Sequence, residues 1–104
     1  MMKTLYIDTR NNKEIIVRIE IDGKTFEKKS AAVENHAQTI LPLVAGLLKK
    51  ARLKVADLDE IRVETGPGSF TGLKVGAAIA NALSFAGMVK VNGKELGEVI
   101  EPDY

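Results

Sequence analysis

The chain has 104 residues, a length typical of a single domain, and its 45% hydrophobic and 28% charged residues fit a folded globular protein. It contains no cysteine, which excludes disulfide bridges, thiolate zinc sites and a cysteine nucleophile, and its net charge of +1 gives no global attraction for nucleic acid or membranes. The N-terminus shows no apolar leader pattern, so we expect no signal peptide.

The first third of the sequence predicts three β-strands in a meander. Residues 3–9 alternate in polarity, and residues 14–21 place Ile or Val at every odd-numbered position, as in a half-buried strand. The dipeptide Asp22-Gly23 is typical of a two-residue hairpin. Residues 24–30 are strongly charged, as expected of an edge strand.

The hydrophobic period then changes to that of a helix. Residues 35–53 and 70–86 are predicted helices, and residues 59–65 form a predicted strand between them. Residues 88–91 are a candidate last strand, and the tail at 92–104 shows no assignable pattern.

This order of elements predicts an α/β fold. Three antiparallel strands followed by α-β-α give a mixed sheet with two main helices, and the fourth strand should lie parallel to the first. That is the topology of a ribonuclease H-like half-fold.

A run of glycines marks the start of the second helix, with Gly66, Gly68, Gly72 and Gly76 within eleven residues. One interpretation is anion binding by a glycine-rich loop at a helix N-terminus. Neither the P-loop nor the dinucleotide-binding spacing is matched. The candidates for a weak phosphate loop are Asp8, Gly66, Gly68 and Ser69.

The other interpretation is close packing. Small residues recur every four positions from Gly72 to Ser84, and Lys74 is the single charge among residues 70–86. A helix that is apolar on all sides is buried on all sides, so a partner interface is favoured over packing against the chain's own sheet, which remains the alternative. The predicted interface residues are Ile40, Leu41, Val44, Phe70, Gly72, Leu73, Gly76, Ile79, Ala80 and Leu83.

Other polar residues lack converging partners. His36 lies beside Glu34 and Gln38, and a surface or capping role is favoured over metal binding. Ser69 and Thr71 are expected to cap the second helix. We therefore predict no catalytic, metal or cofactor-binding residue.

Three motifs resemble the TsaB (YeaZ) family. The stretch "ETGPGSFTGLKVGAAIANALSFA" resembles its G-P-G-S-F-T-G signature, "LYIDT" resembles its first strand, and "ENHAQTILPLV" resembles its E-H-x-x-x-L-P helix. The resemblance covers residues 1–91 and only the first lobe of the family; a second lobe is not represented, and residues 92–104 do not match.

The resemblance implies one lobe of the ASKHA group of duplicated ribonuclease H-like folds. It also implies a non-catalytic, cytoplasmic scaffold in tRNA threonylcarbamoyladenosine modification, without a cofactor. Its helices at 35–53 and 70–86 would contact a TsaD-like subunit, or a second copy in a homodimer. A TsaE-like ATPase is a further possible partner, tRNA would be contacted only indirectly, and no membrane is involved.

Two other functions stay open from the sequence. A one-lobe nucleotide- or phosphate-binding protein would form its cleft by dimerising and would need the loop N–H groups of Gly66 to Gly72 free. An inert truncated lobe would expose its apolar helices and aggregate.

Overall fold

A computed structural model describes residues 2–11, 13–31, 36–96 and 98–102; for residues 36 and 37 it describes the backbone only. The elements in chain order are β1 (Lys3–Asp8), β2 (Glu14–Ile21), β3 (Lys24–Ala31), α1 (His36–Ala51), a 3-10 turn (Val55–Asp57), β4 (Glu60–Val63), α2 (Phe70–Gly87) and β5 (Lys90–Val91). The two helices begin and end within two residues of the predicted bounds, whereas the last strand is only two residues long. Asn35, the predicted start of the first helix, lies outside the described residues.

The five strands form one mixed sheet in the order β3-β2-β1-β4-β5. Neighbours are antiparallel on the β3-β2-β1 side and parallel on the β1-β4-β5 side. The predicted hairpin is confirmed, because Asp22 and Gly23 both have positive φ angles, of 49° and 83°. The α/β class and the parallel pairing of β1 with β4 are confirmed as well.

One face of the sheet carries the core. In β1, Leu5 and Ile7 are fully buried, and they pair with Ile19 and Val17 of β2. The buried side chains of α1 and α2 join the same cluster, so both helices cover this face. The molecule is therefore a two-layer α/β domain.

The opposite face of the sheet is polar and carries several ion pairs. Arg18 contacts Glu27 at 3.2 Å and Glu20 at 3.4 Å, and its guanidinium lies 4.7 Å from the ring centre of Tyr6. Arg18 and Glu27 are directly opposite each other on β2 and β3, and a cross-strand pair of opposite charge of this kind stabilises a solvated sheet surface.

The tail folds back onto α2. Asn81 donates from its side-chain amide to the Ile100 carbonyl at 2.9 Å and accepts from the Ile100 N–H at 2.9 Å. Ile100 is only 5% exposed and belongs to the core cluster. The segment that shows no pattern in the sequence thus contributes to the same core as the strands.

Candidate functional site

The glycine-rich loop joins β4 to α2 directly over the end of β1. Ser69 caps α2, because its hydroxyl accepts from the Gly72 N–H at 3.3 Å, and its own N–H donates to the Arg10 carbonyl at 2.7 Å. The capping role predicted for Ser69 is confirmed. Gly66 has a φ angle of 125°, and the Gly66–Pro67 peptide bond is cis.

The glycines of this stretch bring α2 into contact with β1. Thr9 is fully buried, and its hydroxyl donates to the Gly72 carbonyl at 2.7 Å. A Cβ atom at Gly72 would lie under 3.0 Å from the Thr9 carbonyl oxygen, and one at Gly76 equally close to the Thr9 hydroxyl. A Cβ at Gly68 would meet the Arg10 carbonyl oxygen at 2.7 Å. These glycines are therefore required for packing within the chain.

The predicted partner interface is largely buried inside the chain. Only Leu41 and Phe70 of the predicted set are exposed, and Leu83 is half-buried. The buried members are Ile40, Val44, Gly72, Leu73, Gly76, Ile79 and Ala80. The stripe of small residues faces the molecule's own interior, which corrects that part of the prediction. The cause is the long-range contact with Thr9, which no local pattern reveals.

The exposed side of the helix layer carries six apolar residues, of which the prediction contained only Leu41 and Phe70. We call this surface the outer helix face and define it by six exposed residues: Leu41, Ala45, Phe70, Ala78, Ala82 and Phe85. Lys74 is exposed as well. Because positions four apart share one side of a helix, Lys74 marks Ala78 and Ala82 as lying on the exposed side. That single charge was the available sequence signal.

The outer helix face continues through Phe85 into a second apolar surface. Phe85, Met88, Leu96 and Val99 are exposed there and line a cavity of about 320 Å³ between the end of α2 and the tail. Asn81, which holds the tail, lines the same cavity. The apolar surface thus extends along the length of α2.

A charged cluster lies where β1 and β4 end. Arg10 holds Asp8 through two hydrogen bonds, at 3.1 and 3.0 Å, and lies 3.5 Å from Glu64. The Tyr6 hydroxyl donates to Glu64 at 2.5 Å. Burial together with this bond to a carboxylate raises the pKa of Tyr6.

Some groups at the candidate phosphate loop already form an ion pair or hydrogen bonds within the chain. Asp8 is paired with Arg10, and the N–H groups of Ser69 and Gly72 already donate within the chain. An anion at the loop would have to compete for those two N–H groups. Among the described residues, no cluster of three or more His, Asp or Glu side chains is arranged to hold a metal ion.

The ionisation of Asp8 makes the free energy of unfolding depend on pH in the acid range. Burial alone would raise the pKa of Asp8, but the hydrogen bonds and charge of Arg10 outweigh it and keep this pKa below the usual value of 3.8. The stabilisation is present above the unfolded pKa and is lost as the pH falls through the lower, folded pKa. We expect Asp8→Asn to cost about 0.5–1 kcal/mol near pH 6 and less near pH 3, measured by urea unfolding. An equal cost at both pH values would contradict this assignment.

Comparison with known proteins places the chain in a family. A family model described as "TsaD: tRNA N6-adenosine threonylcarbamoyltransferase" matches residues 15–93. The tRNA threonylcarbamoyladenosine biosynthesis protein TsaB of Bacillus subtilis is 33% identical over 82% of this chain, and that of Escherichia coli is 30% identical over 88%. YeaZ from Pseudomonas aeruginosa superposes with a TM-score of 0.82 and 28% identity over 91% of this chain.

The chain belongs to the TsaB (YeaZ) family. The matches cover 37% and 39% of the two TsaB sequences and 44% of the YeaZ structure, so this TsaB-family chain spans less than half the length of these relatives. Its five-stranded mixed sheet and two helices fit the ASKHA-like fold expected from the sequence. Within the described part of the chain, neither helix is long and apolar enough to cross a membrane.

Proposed function

We propose that this TsaB-family chain is a non-catalytic, cytoplasmic subunit of the machinery that makes threonylcarbamoyladenosine in tRNA. It acts by binding a TsaD-like subunit through the outer helix face, and it pairs with a second copy through the same face when that subunit is absent. A TsaE-like ATPase would join this assembly through its other members. The names of the TsaB relatives supply the pathway, and the apolar outer helix face supports the scaffold role.

The observation that carries the proposal is the character of the outer helix face. Leu41 is 48% exposed and Phe85 is 85% exposed, whereas the open face of the sheet is covered by paired charges. Exposed alanines on α2 allow another helix to approach closely between these larger side chains. Buried apolar anchors among small residues are the usual source of affinity in such an interface.

The charged cluster favours a protein-binding role over a catalytic role, because its side chains already have partners within the chain. Asp8 is bound by Arg10, and the hydroxyl of Ser69 is used as a helix cap. A nucleophile needs a neighbouring base, and a phosphate loop needs free N–H groups. If Asp8→Ala abolished binding of ATP by the chain, the nucleotide-binding alternative would replace the scaffold proposal.

Leu41→Asp should weaken association with the TsaD-like protein by about tenfold to thirtyfold, because it places a charge in an apolar contact. Molar mass would be measured by light scattering on a sizing column, for the chain alone and mixed with the TsaD-like protein of its own source. Met2→Asp is the matched control, since Met2 is 58% exposed but precedes β1 and lies on neither helix. If both variants associate as strongly as the parent chain, the outer helix face is not the interface.

A further inference from the structure

Five exposed cations gather near the end of α1, whereas the other cations without an ion pair in the described part of the molecule are scattered over the chain. We call this group the basic cluster and define it by Lys28, Lys49, Lys50, Arg52 and Lys54, all of which are exposed. Arg10, Arg18, Lys29 and Arg62 each pair with a carboxylate. Within the described ranges, no member of the basic cluster forms an ion pair.

Glu27, which precedes Lys28, pairs with Arg18 and Lys29, and the first two acids after α1 bond to backbone N–H groups. Asp57 accepts from the backbone N–H of Lys54 at 2.8 Å, and Asp59 accepts from the backbone N–H of Lys3 at 2.7 Å. Both carboxylates therefore hold the turn between α1 and β4 in place. The positive charge of the basic cluster remains available to an external anion.

One of these cations, Arg52, occupies an unfavourable backbone conformation at the helix end. α1 ends with the Leu53 N–H bonded to the Leu48 carbonyl at 2.9 Å, which places Arg52 in the left-handed region with a φ angle of 59°. Glycine is the usual residue at this position of a helix end, and any larger residue is strained there. Arg52 therefore adds a charge two residues after Lys50, at a position where glycine would relieve the strain.

The edge strand contributes the fifth cation. A Cβ atom at Gly46 would lie 3.2 Å from the Lys28 ammonium, so this ammonium lies over α1 at Gly46, one turn before Lys50. The glycine leaves the space that the Lys28 side chain occupies. The basic cluster thus joins two elements, β3 and α1, on one surface.

We propose that the basic cluster binds the phosphate backbone of tRNA directly. A run of cations without partners suits a ligand with repeated negative charges, and the proposed function supplies a polyanion of this kind. This inference rests on that proposed function and replaces the sequence-based expectation of an indirect contact only. The contact positions the RNA without reading its sequence, since phosphate contacts carry no base information.

The test compares two variants of equal charge in the 104-residue chain. Lys49→Gln, Lys50→Gln and Lys54→Gln are combined in one, and Lys13→Gln, Lys90→Gln and Lys94→Gln, which are exposed elsewhere, in the other. Binding of fluorescently labelled, unmodified tRNA is measured by anisotropy over a salt series. The first variant should lose at least about tenfold in affinity near 0.1 M salt, and the slope of log K against log salt should shrink by about 2. The control variant should change little.

The outcomes separate this inference from the proposed function. Equal losses in both variants, or no salt-dependent binding by the parent chain, would overturn it. Equal competition by poly-glutamate would assign the basic cluster to an acidic protein instead. Replacing the same three lysines by arginine should preserve binding, which covers the case in which the glutamine variant folds poorly. Light scattering with the TsaD-like protein is run on every variant, so failure of the scaffold role is detected independently.

Discussion

Gly72→Ala should lower the free energy of unfolding by about 2–3 kcal/mol, the range for overpacking a tight contact. The new Cβ would lie under 3.0 Å from the carbonyl oxygen of Thr9, which is a backbone atom and cannot rotate away. Alanine favours the helix over glycine by about 1 kcal/mol, which offsets part of the cost. Urea unfolding followed by circular dichroism measures the difference.

Gly76→Ala provides the comparison, because its close neighbour is the hydroxyl of Thr9 rather than the backbone. Thr9→Ala removes that hydroxyl, so the cost of Gly76→Ala should shrink by about 1–2 kcal/mol in the Thr9→Ala background. The cost of Gly72→Ala should not shrink there. Ala82→Leu on the exposed side of α2 should change stability by no more than about 0.5 kcal/mol.

A Gly76→Leu variant tests the opposite case, in which the glycine stripe of α2 faces a partner. If that variant unfolds as the parent chain does but no longer associates with its partner, the glycine stripe faces outward and the contact with Thr9 is misplaced. We expect the isolated chain to lose stability instead.

Ile100→Ala should lower the free energy of unfolding by about 2–4 kcal/mol, as for other large-to-small substitutions in a core. Ile100 is 5% exposed, and its backbone forms two hydrogen bonds with the Asn81 side chain, one donated and one accepted. The measurement is again urea unfolding, combined with hydrogen exchange of the Ile100 amide, which should become faster.

Val99→Ala is the matched control for that prediction. Val99 is the neighbouring residue and is 70% exposed, so its truncation should cost no more than about 0.5 kcal/mol. If the two variants cost the same, the tail does not pack into the core. If Ile100→Ala is as stable as the parent chain, the domain ends near β5, as the sequence predicts.

Local signals in the sequence predict most of the fold. The alternation in residues 14–21 predicts β2, and Asp22-Gly23 predicts the hairpin that follows it, because a strand period and a turn each depend on a few neighbouring residues. The helices follow from their hydrophobic period in the same way. These features require no knowledge of distant contacts.

Local sequence signals could not predict which side of α2 is buried. Its residues are apolar on nearly every side, so composition does not decide which side is buried, and the decisive neighbour, Thr9, lies 63 residues away from Gly72. Ile100 was missed for a related reason. Two apolar residues, Val99 and Ile100, between Glu98 and Glu101 form no period, and only the hydrogen bonds with Asn81 identify the place of Ile100.

The contact between Thr9 and Gly72 also bears on synthesis of the chain. β1 is synthesised well before its neighbours β4 and α2, and Lys3 bonds to Asp59 across a separation of 56 residues. The apolar face of the meander of β1, β2 and β3 therefore stays uncovered until both helices have been synthesised. The charged residues of β3 and the paired charges of the open face lower the risk of aggregation during that interval.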